Sequence, residues 1–197
     1  MTRRADRVFF VAGALTVLDT LYVTWRYLLL HAQLVTPRTG FCSWTTTPFL
    51  RFPLGIDCDP VLLSRPARAF YVPNATLGLG FFLGCIVFYA WCLRRDERAQ
   101  YFGAQFMAFW LSLATVFTFR FYSLLIHLPT LCPVCPWNHL LTWIMTFAIW
   151  VRLRSTPKPA SRASIADIAG PCIAGVSIFV AAQMLWGIPW VLGKMTP

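Results

Sequence analysis

Five apolar stretches, at roughly residues 8–30, 75–93, 102–126, 133–151 and 169–192, are each long enough to cross a bilayer, for which about 20 helical residues suffice. Hydrocarbon offers no water to a bare amide or carbonyl, so each stretch must be helical. The chain therefore reads as an all-α integral membrane protein. Its bulk numbers agree: of 197 residues 58% are hydrophobic and only 12% charged, and the mean hydropathy is +0.62. That is too apolar for an ordinary soluble domain.

The first stretch follows three arginines, runs about 23 residues and has no small-residue cleavage site behind it, whereas a signal peptide has a shorter apolar core. It is read as a true span. The net charge of +10 would suggest nucleic acid in a soluble protein, but here its placement matters more than its sum, and no nucleic-acid partner is expected. Ten basic residues gather in three places: Arg3, Arg4 and Arg7; Arg94, Arg95 and Arg98; and Arg152, Arg154, Lys158 and Arg162. Five lie in the intervening segments: Arg38, Arg51, Arg65, Arg68 and Lys194. The bias puts the N-terminus, the 94–101 turn and the linker after the fourth span on the cytoplasmic side. The 31–74 loop, the 127–132 turn and the C-terminus are then outside.

On that placement Cys42, Cys58, Cys132 and Cys135 all face an outer compartment that permits disulfides. Cys85, Cys92 and Cys172 fall within or at the ends of spans and read as small packing residues. The outer loop carries Phe41, Trp44, Phe49, Phe52, Phe70 and Tyr71, which suits a segment folded onto the bundle. Within it, Cys58 to Ser64 reads as a short half-helix, with Asp59 as cap, Pro60 at the first helical position and Val61, Leu62 and Leu63 as its apolar side. Such an element can lie at the membrane interface as a lid, provided protein buries its backbone. The segment with Ser155, Pro157, Pro159, Ser161 and Ser164 reads as a flexible linker. Trp137, Trp186 and Trp190 suit the interfacial aromatic belt.

The chemistry lies in Cys132-Pro133-Val134-Cys135-Pro136-Trp137-Asn138-His139. Neither proline has an amide hydrogen to donate, which suits both to a first helical turn, where such donors have no partner. The dithiol then sits at the N-terminus of the fourth span, where the helix dipole stabilises an attacking thiolate. A purely structural disulfide is one rival. A metal site is another, with Cys132, Cys135 and His139 as ligands and His127 or a loop cysteine as a fourth, but zinc would lock the thiolates and no second close pair completes a four-ligand pattern. No metal is expected.

Three motifs taken together resemble the vitamin K epoxide reductase family, in particular its bacterial DsbB-like thiol oxidases. They are Cys58-Asp59-Pro60-Val61-Leu62-Leu63-Ser64, then Val72-Pro73-Asn74-Ala75-Thr76-Leu77-Gly78, then Cys132-x-x-Cys135-x-x-x-His139, and the likeness spans roughly 8–152. The resemblance implies a four-helix bundle around a quinone site over 1–152, a linker over 153–168 and a fifth transmembrane helix with a short outer tail over 169–197. It implies that Cys42 and Cys58 are a shuttle pair: a thioredoxin-fold (DsbA-like) carrier attacks their disulfide, and Cys58 then attacks Cys132. Cys135 would face a quinone of the ubiquinone, menaquinone or vitamin K type, Asn74 would hydrogen-bond its carbonyl, and Ser64 would stand on the half-helix above it. His139, four residues beyond Cys135 and on the same helical face, would take part in proton handling or pack in the core. The chain would then lie in a bacterial inner membrane and support disulfide formation.

Two features depart from the family pattern. Fifteen residues separate Cys42 from Cys58, more than the family's usual short spacing, and no thioredoxin-like domain follows the bundle, so the carrier is expected to be a separate protein. Reduction of vitamin K epoxide or quinone for its own sake is the alternative role, and a transporter or scaffold the alternative class. A transporter would show duplicated halves or broken spans, and neither is evident. Asn74-Ala75-Thr76 matches a glycosylation acceptor but lies too near the membrane to take a glycan, and Asn74 also suits a helix cap. Asp19, Arg26 and Arg120 fall inside spans, where a charge costs about 2.5–3.5 kcal/mol or more. Ion pairing or snorkelling is the favoured reading, ahead of a proton path.

Overall fold

The computed structural model describes residues 2–37, 55–64, 68–69, 72–125, 130–159 and 165–191. Cys42, the aromatics Phe41, Trp44, Phe49, Phe52, Phe70 and Tyr71, and His127, Ser161, Ser164 and Lys194 lie outside the described residues, as do the side chains of Trp186 and Trp190.

Four long helices form an antiparallel bundle: α1 (Thr2–His31), α3 (Asn74–Leu93), α4 (Glu97–Leu125) and α5 (Val134–Ser155). Each is long and apolar enough to cross a membrane. Helix α1 packs on α3 and α5, and α4 on the same two, closing a ring around a core that includes Phe9, Phe82, Tyr89, Met107, Leu111 and Met145. Large apolar side chains such as Val11, Leu18, Phe109 and Phe147 point outward and are exposed, the inverse of a soluble surface. A bilayer is the solvent that such a surface requires, so the protein is a multi-pass integral membrane protein.

Helix α6 (Ile165–Val191) is 27 residues long and packs on α3 outside the ring. Its fully described apolar part, Ala169–Met184, is shorter than a complete crossing. The contact depends on small residues: a Cβ at Gly84 would lie 3.0 Å from the Gly175 carbonyl oxygen, so the two backbones approach as only glycine allows. The amide of Gln183 adds a hydrogen bond to the Thr76 carbonyl at 3.1 Å.

Helix bounds run past the apolar stretches at several ends. Helix α4 begins at Glu97 rather than near 102 because the Asp96 carboxylate accepts the Ala99 amide at 3.1 Å and caps a charged first turn that hydropathy does not register. One end of the bundle is tied by charge. Arg152 donates to Asp6 at 3.1 Å, to Gln100 at 3.1 Å and to Thr156 at 2.6 Å, and the Tyr89 hydroxyl donates to Asp6 at 2.7 Å. This network gathers α1, α3, α4 and α5, and it brings the basic N-terminus, the 94–98 turn and the end of α5 to the same end of the molecule.

Three short pieces complete the opposite end. Helix α2 spans Cys58–Leu63, and two-residue strands β1 (Gly55–Ile56) and β4 (Thr130–Leu131) pair in parallel. Strands β2 (Arg68–Ala69) and β3 (Val72–Pro73) pair in antiparallel fashion just before α3. The half-helix is present, but its cap is Asp57 and not Asp59: the Asp57 carboxylate accepts the Asp59 amide at 3.1 Å. Asp59 turns inward to a cation instead. Nor does Asn74 cap α3; that position falls to Pro73, and Asn74 is the first helical residue.

Candidate active site

The β1–β4 ladder positions the sulfurs. Ile56 lies opposite Leu131, so the chain enters α2 and α5 side by side, and Cys58 and Cys132 follow within two residues on each strand. The Cys132 thiol donates to the Cys58 sulfur at 2.9 Å, and both residues are buried among Tyr27, Leu30, Val61 and Leu62. Cys58 is disulfide-bonded, whereas Cys132 and Cys135 are free thiols. An oxidised outer sulfur thus touches a reduced inner dithiol, which is the contact that thiol–disulfide exchange needs. The neighbouring Cys135 thiol holds the Cys132 thiol below its usual range, with the nearby amides of Cys135 and Val134 adding to the effect against the opposing one of burial. These amides belong to the first turn of α5, and the Cys135 amide also donates to the Cys132 carbonyl at 3.3 Å.

Helix α2 is held in place by a buried ion pair. The Arg26 guanidinium grips the Asp59 carboxylate with Nε to Oδ1 at 3.1 Å and Nη2 to Oδ2 at 2.8 Å, and Nη2 also donates to the Thr36 carbonyl at 3.3 Å. Ion pairing, one of the two readings favoured for Arg26, is what the structure shows.

Beneath α2 lies a cavity of about 540 Å³, within the range of roughly 300–1,000 Å³ typical of small-molecule sites. Helices α1, α3, α4 and α5 wall it, Val61, Leu62 and Ser64 roof it, and Phe179 of α6 reaches it from the side. Cys135, Asn74, Ser64 and His139, the residues expected at a quinone, all line it. Ser64 ends α2, its hydroxyl donating to the Val61 carbonyl at 2.6 Å. The His139 ring packs against Phe121 and Tyr122, with centroids 6.2 and 5.0 Å away. Most of the remaining lining is apolar, so a flat hydrophobic ring fits the walls while Asn74, Asn138 and His139 offer polar atoms to ring oxygens.

Sequence reasoning missed three features. The first is the Arg26–Asp59 pair, whose members lie 33 residues apart. The second is Asp19, expected to pair with a cation or snorkel: it lines the cavity and accepts the Asn138 amide at 2.9 Å, with no cation beside it among the described residues. The third is the wall contributed by α6. Arg120 is exposed on α4. Among the described residues no cluster of three metal-ligating side chains occurs, and His127 lies outside them.

The sequence profile described as Vitamin K epoxide reductase family matches residues 7–151. The chain belongs to this family. The match covers most of the four-helix ring and ends before α6. Vitamin K epoxide reductase family membership makes the protein a membrane oxidoreductase of the thiol–disulfide and quinone type. No curated protein and no solved structure matches the chain.

Proposed function

We propose that this protein oxidises a thioredoxin-fold carrier outside the cell membrane and passes the electrons to a membrane quinone, thereby supporting disulfide formation. The observation that carries the reading is the 2.9 Å contact between Cys132 and disulfide-bonded Cys58 at the mouth of a cavity lined by Cys135. In this reading Cys42 and Cys58 form the outer shuttle, and residues 1–152, 153–168 and 169–197 are the catalytic bundle, linker and fifth span. The arginine-rich end tied together by Arg152 and Asp6 is cytoplasmic, by the positive-inside rule.

The carrier thiolate attacks the outer disulfide, its own disulfide forms and two thiols are left at Cys42 and Cys58. Cys58 attacks Cys132 in the inner disulfide and releases Cys135 as a thiolate; Cys42 then attacks Cys58, re-forming the outer pair and leaving the inner dithiol. A quinone bound in the cavity would supply the acceptor for the two electrons and two protons released as the inner disulfide closes. Asn74 and His139 would hold its ring oxygens, while the apolar walls exclude water and Ser64 with α2 covers the site.

The purified protein in liposomes with a ubiquinone is expected to oxidise a reduced thioredoxin-fold carrier with one quinol formed per disulfide. If it instead reduces vitamin K epoxide with a dithiol yet leaves every carrier reduced, the physiological direction assigned here is wrong.

A further inference from the structure

Two-electron oxidation of a dithiol frees two protons, and an apolar cavity offers few groups to carry them. Asp19 is the single carboxylate among the described residues lining the cavity. It is placed by one hydrogen bond, its Oδ2 accepting from Asn138 Nδ2 at 2.9 Å, while Oδ1 has no partner among the described residues. Among the described residues no cation neutralises it: Arg26, two turns further along α1, is committed to Asp59. A carboxylate at membrane depth is costly, and one kept by a neutral amide rather than by a cation is poised to gain and lose a proton. Asn138 lies three residues from Cys135 on α5, so the acid and the dithiol border one face of the same helix.

We propose that Asp19 is the proton carrier between the inner dithiol and the quinone, an inference that rests on the quinone reading above. The Asp19 carboxylate takes the proton of the Cys135 thiol as the Cys132–Cys135 bond forms and delivers it to a quinone oxygen. Carboxylate once more, it takes the second proton, from Cys132. Two S–H bonds break, one S–S bond and two O–H bonds form, and two electrons pass from sulfur to the quinone, which leaves as quinol. Asn138 is a positioning residue that fixes the carboxyl. The other titratable groups lining the cavity are Cys135 and His139 on α5 and Tyr27 on α1; α2, α3, α4 and α6 add none among the described residues.

The test pairs two readouts on the full chain in lipid nanodiscs. In quinone-free protein, the infrared difference between reduced and oxidised inner pair should contain a carboxyl band that Asp19→Asn removes. With a short-chain ubiquinone and dithiothreitol, Asp19→Asn should lower kcat at least ~10²-fold, the scale of general acid–base catalysis, and flatten its pH profile while KM changes little. Asp19→Glu should recover part of the rate. Asparagine keeps the acceptor for Asn138, so a purely structural role predicts no such kcat loss. The absence of any carboxyl band in the wild type, or an Asp19→Asn kcat within about twofold of wild type, overturns the proposal. A wild type that reduces no quinone sinks the functional reading, and the infrared band then still decides whether Asp19 exchanges its proton with Cys135.

Discussion

Cys135→Ala is expected to abolish quinone reduction, with a loss on the order of 10⁴-fold or more, the scale on which removing a covalent reactive group acts. Among the described residues Cys135 is the sole cysteine that lines the cavity, while Cys132 faces Cys58. Without Cys135 the inner disulfide cannot form, and electrons that reach Cys132 have no outlet. Exchange among Cys42, Cys58 and Cys132 remains chemically possible, so carrier thiols should still be consumed once and then stop. The measurement is quinol formation against carrier oxidation in a single turnover: wild type yields both, and the variant yields a stoichiometric burst of the second alone. Steady quinol formation by the variant would show that Cys135 is not the sulfur that delivers electrons.

The second large effect is on stability. Arg26→Leu strips the guanidinium from a carboxylate that is 0% exposed, and breaking a buried pair from one side costs about 3–5 kcal/mol. Asp59→Leu leaves an arginine side chain only 8% exposed and should cost a similar amount. The double variant Arg26→Leu/Asp59→Leu removes both charges together, and it should be markedly more stable than either single variant, because an apolar pair of similar volume replaces the ion pair at little net cost. Unfolding midpoints of the three variants in one detergent check this. Equal and additive losses would mean that the pair does not hold α2. Function should follow stability, because α2 carries Cys58 to Cys132.

The spans were legible because a run of about 20 apolar residues has few alternatives to a membrane helix, and the basic clusters at one end ordered them. The inner motif was legible for a local reason: prolines 133 and 136 and the dithiol all fall within one turn, where spacing and geometry nearly coincide. The contact of Cys58 with Cys132 was not visible in spacing and entered only through family resemblance. It depends on a ladder of two residues per strand, too short to leave any periodicity. Asp59 was misread as the cap because a carboxylate beside Pro60 satisfies the local rule, and only a guanidinium 33 residues away shows that it turns inward. Asp19 failed as an expected ion pair for the same reason, since its partner is an amide on a helix more than 100 residues later, 119 by sequence. The reach of α6 into the cavity through Phe179 follows from close backbone packing at Gly84 and Gly175, which glycine composition alone cannot assign to a partner.

Non-reducing peptide mass spectrometry of Cys135→Ala protein from native membranes bears hardest on the relay. With no Cys135 to resolve it, the Cys132 thiolate attacks Cys58, and a Cys58–Cys132 cross-linked peptide should accumulate with Cys42 left as an alkylatable thiol. Recovery of Cys58 and Cys132 with no such cross-link, or their labelling from opposite sides of the membrane, would contradict the transfer of electrons between the two sulfur pairs.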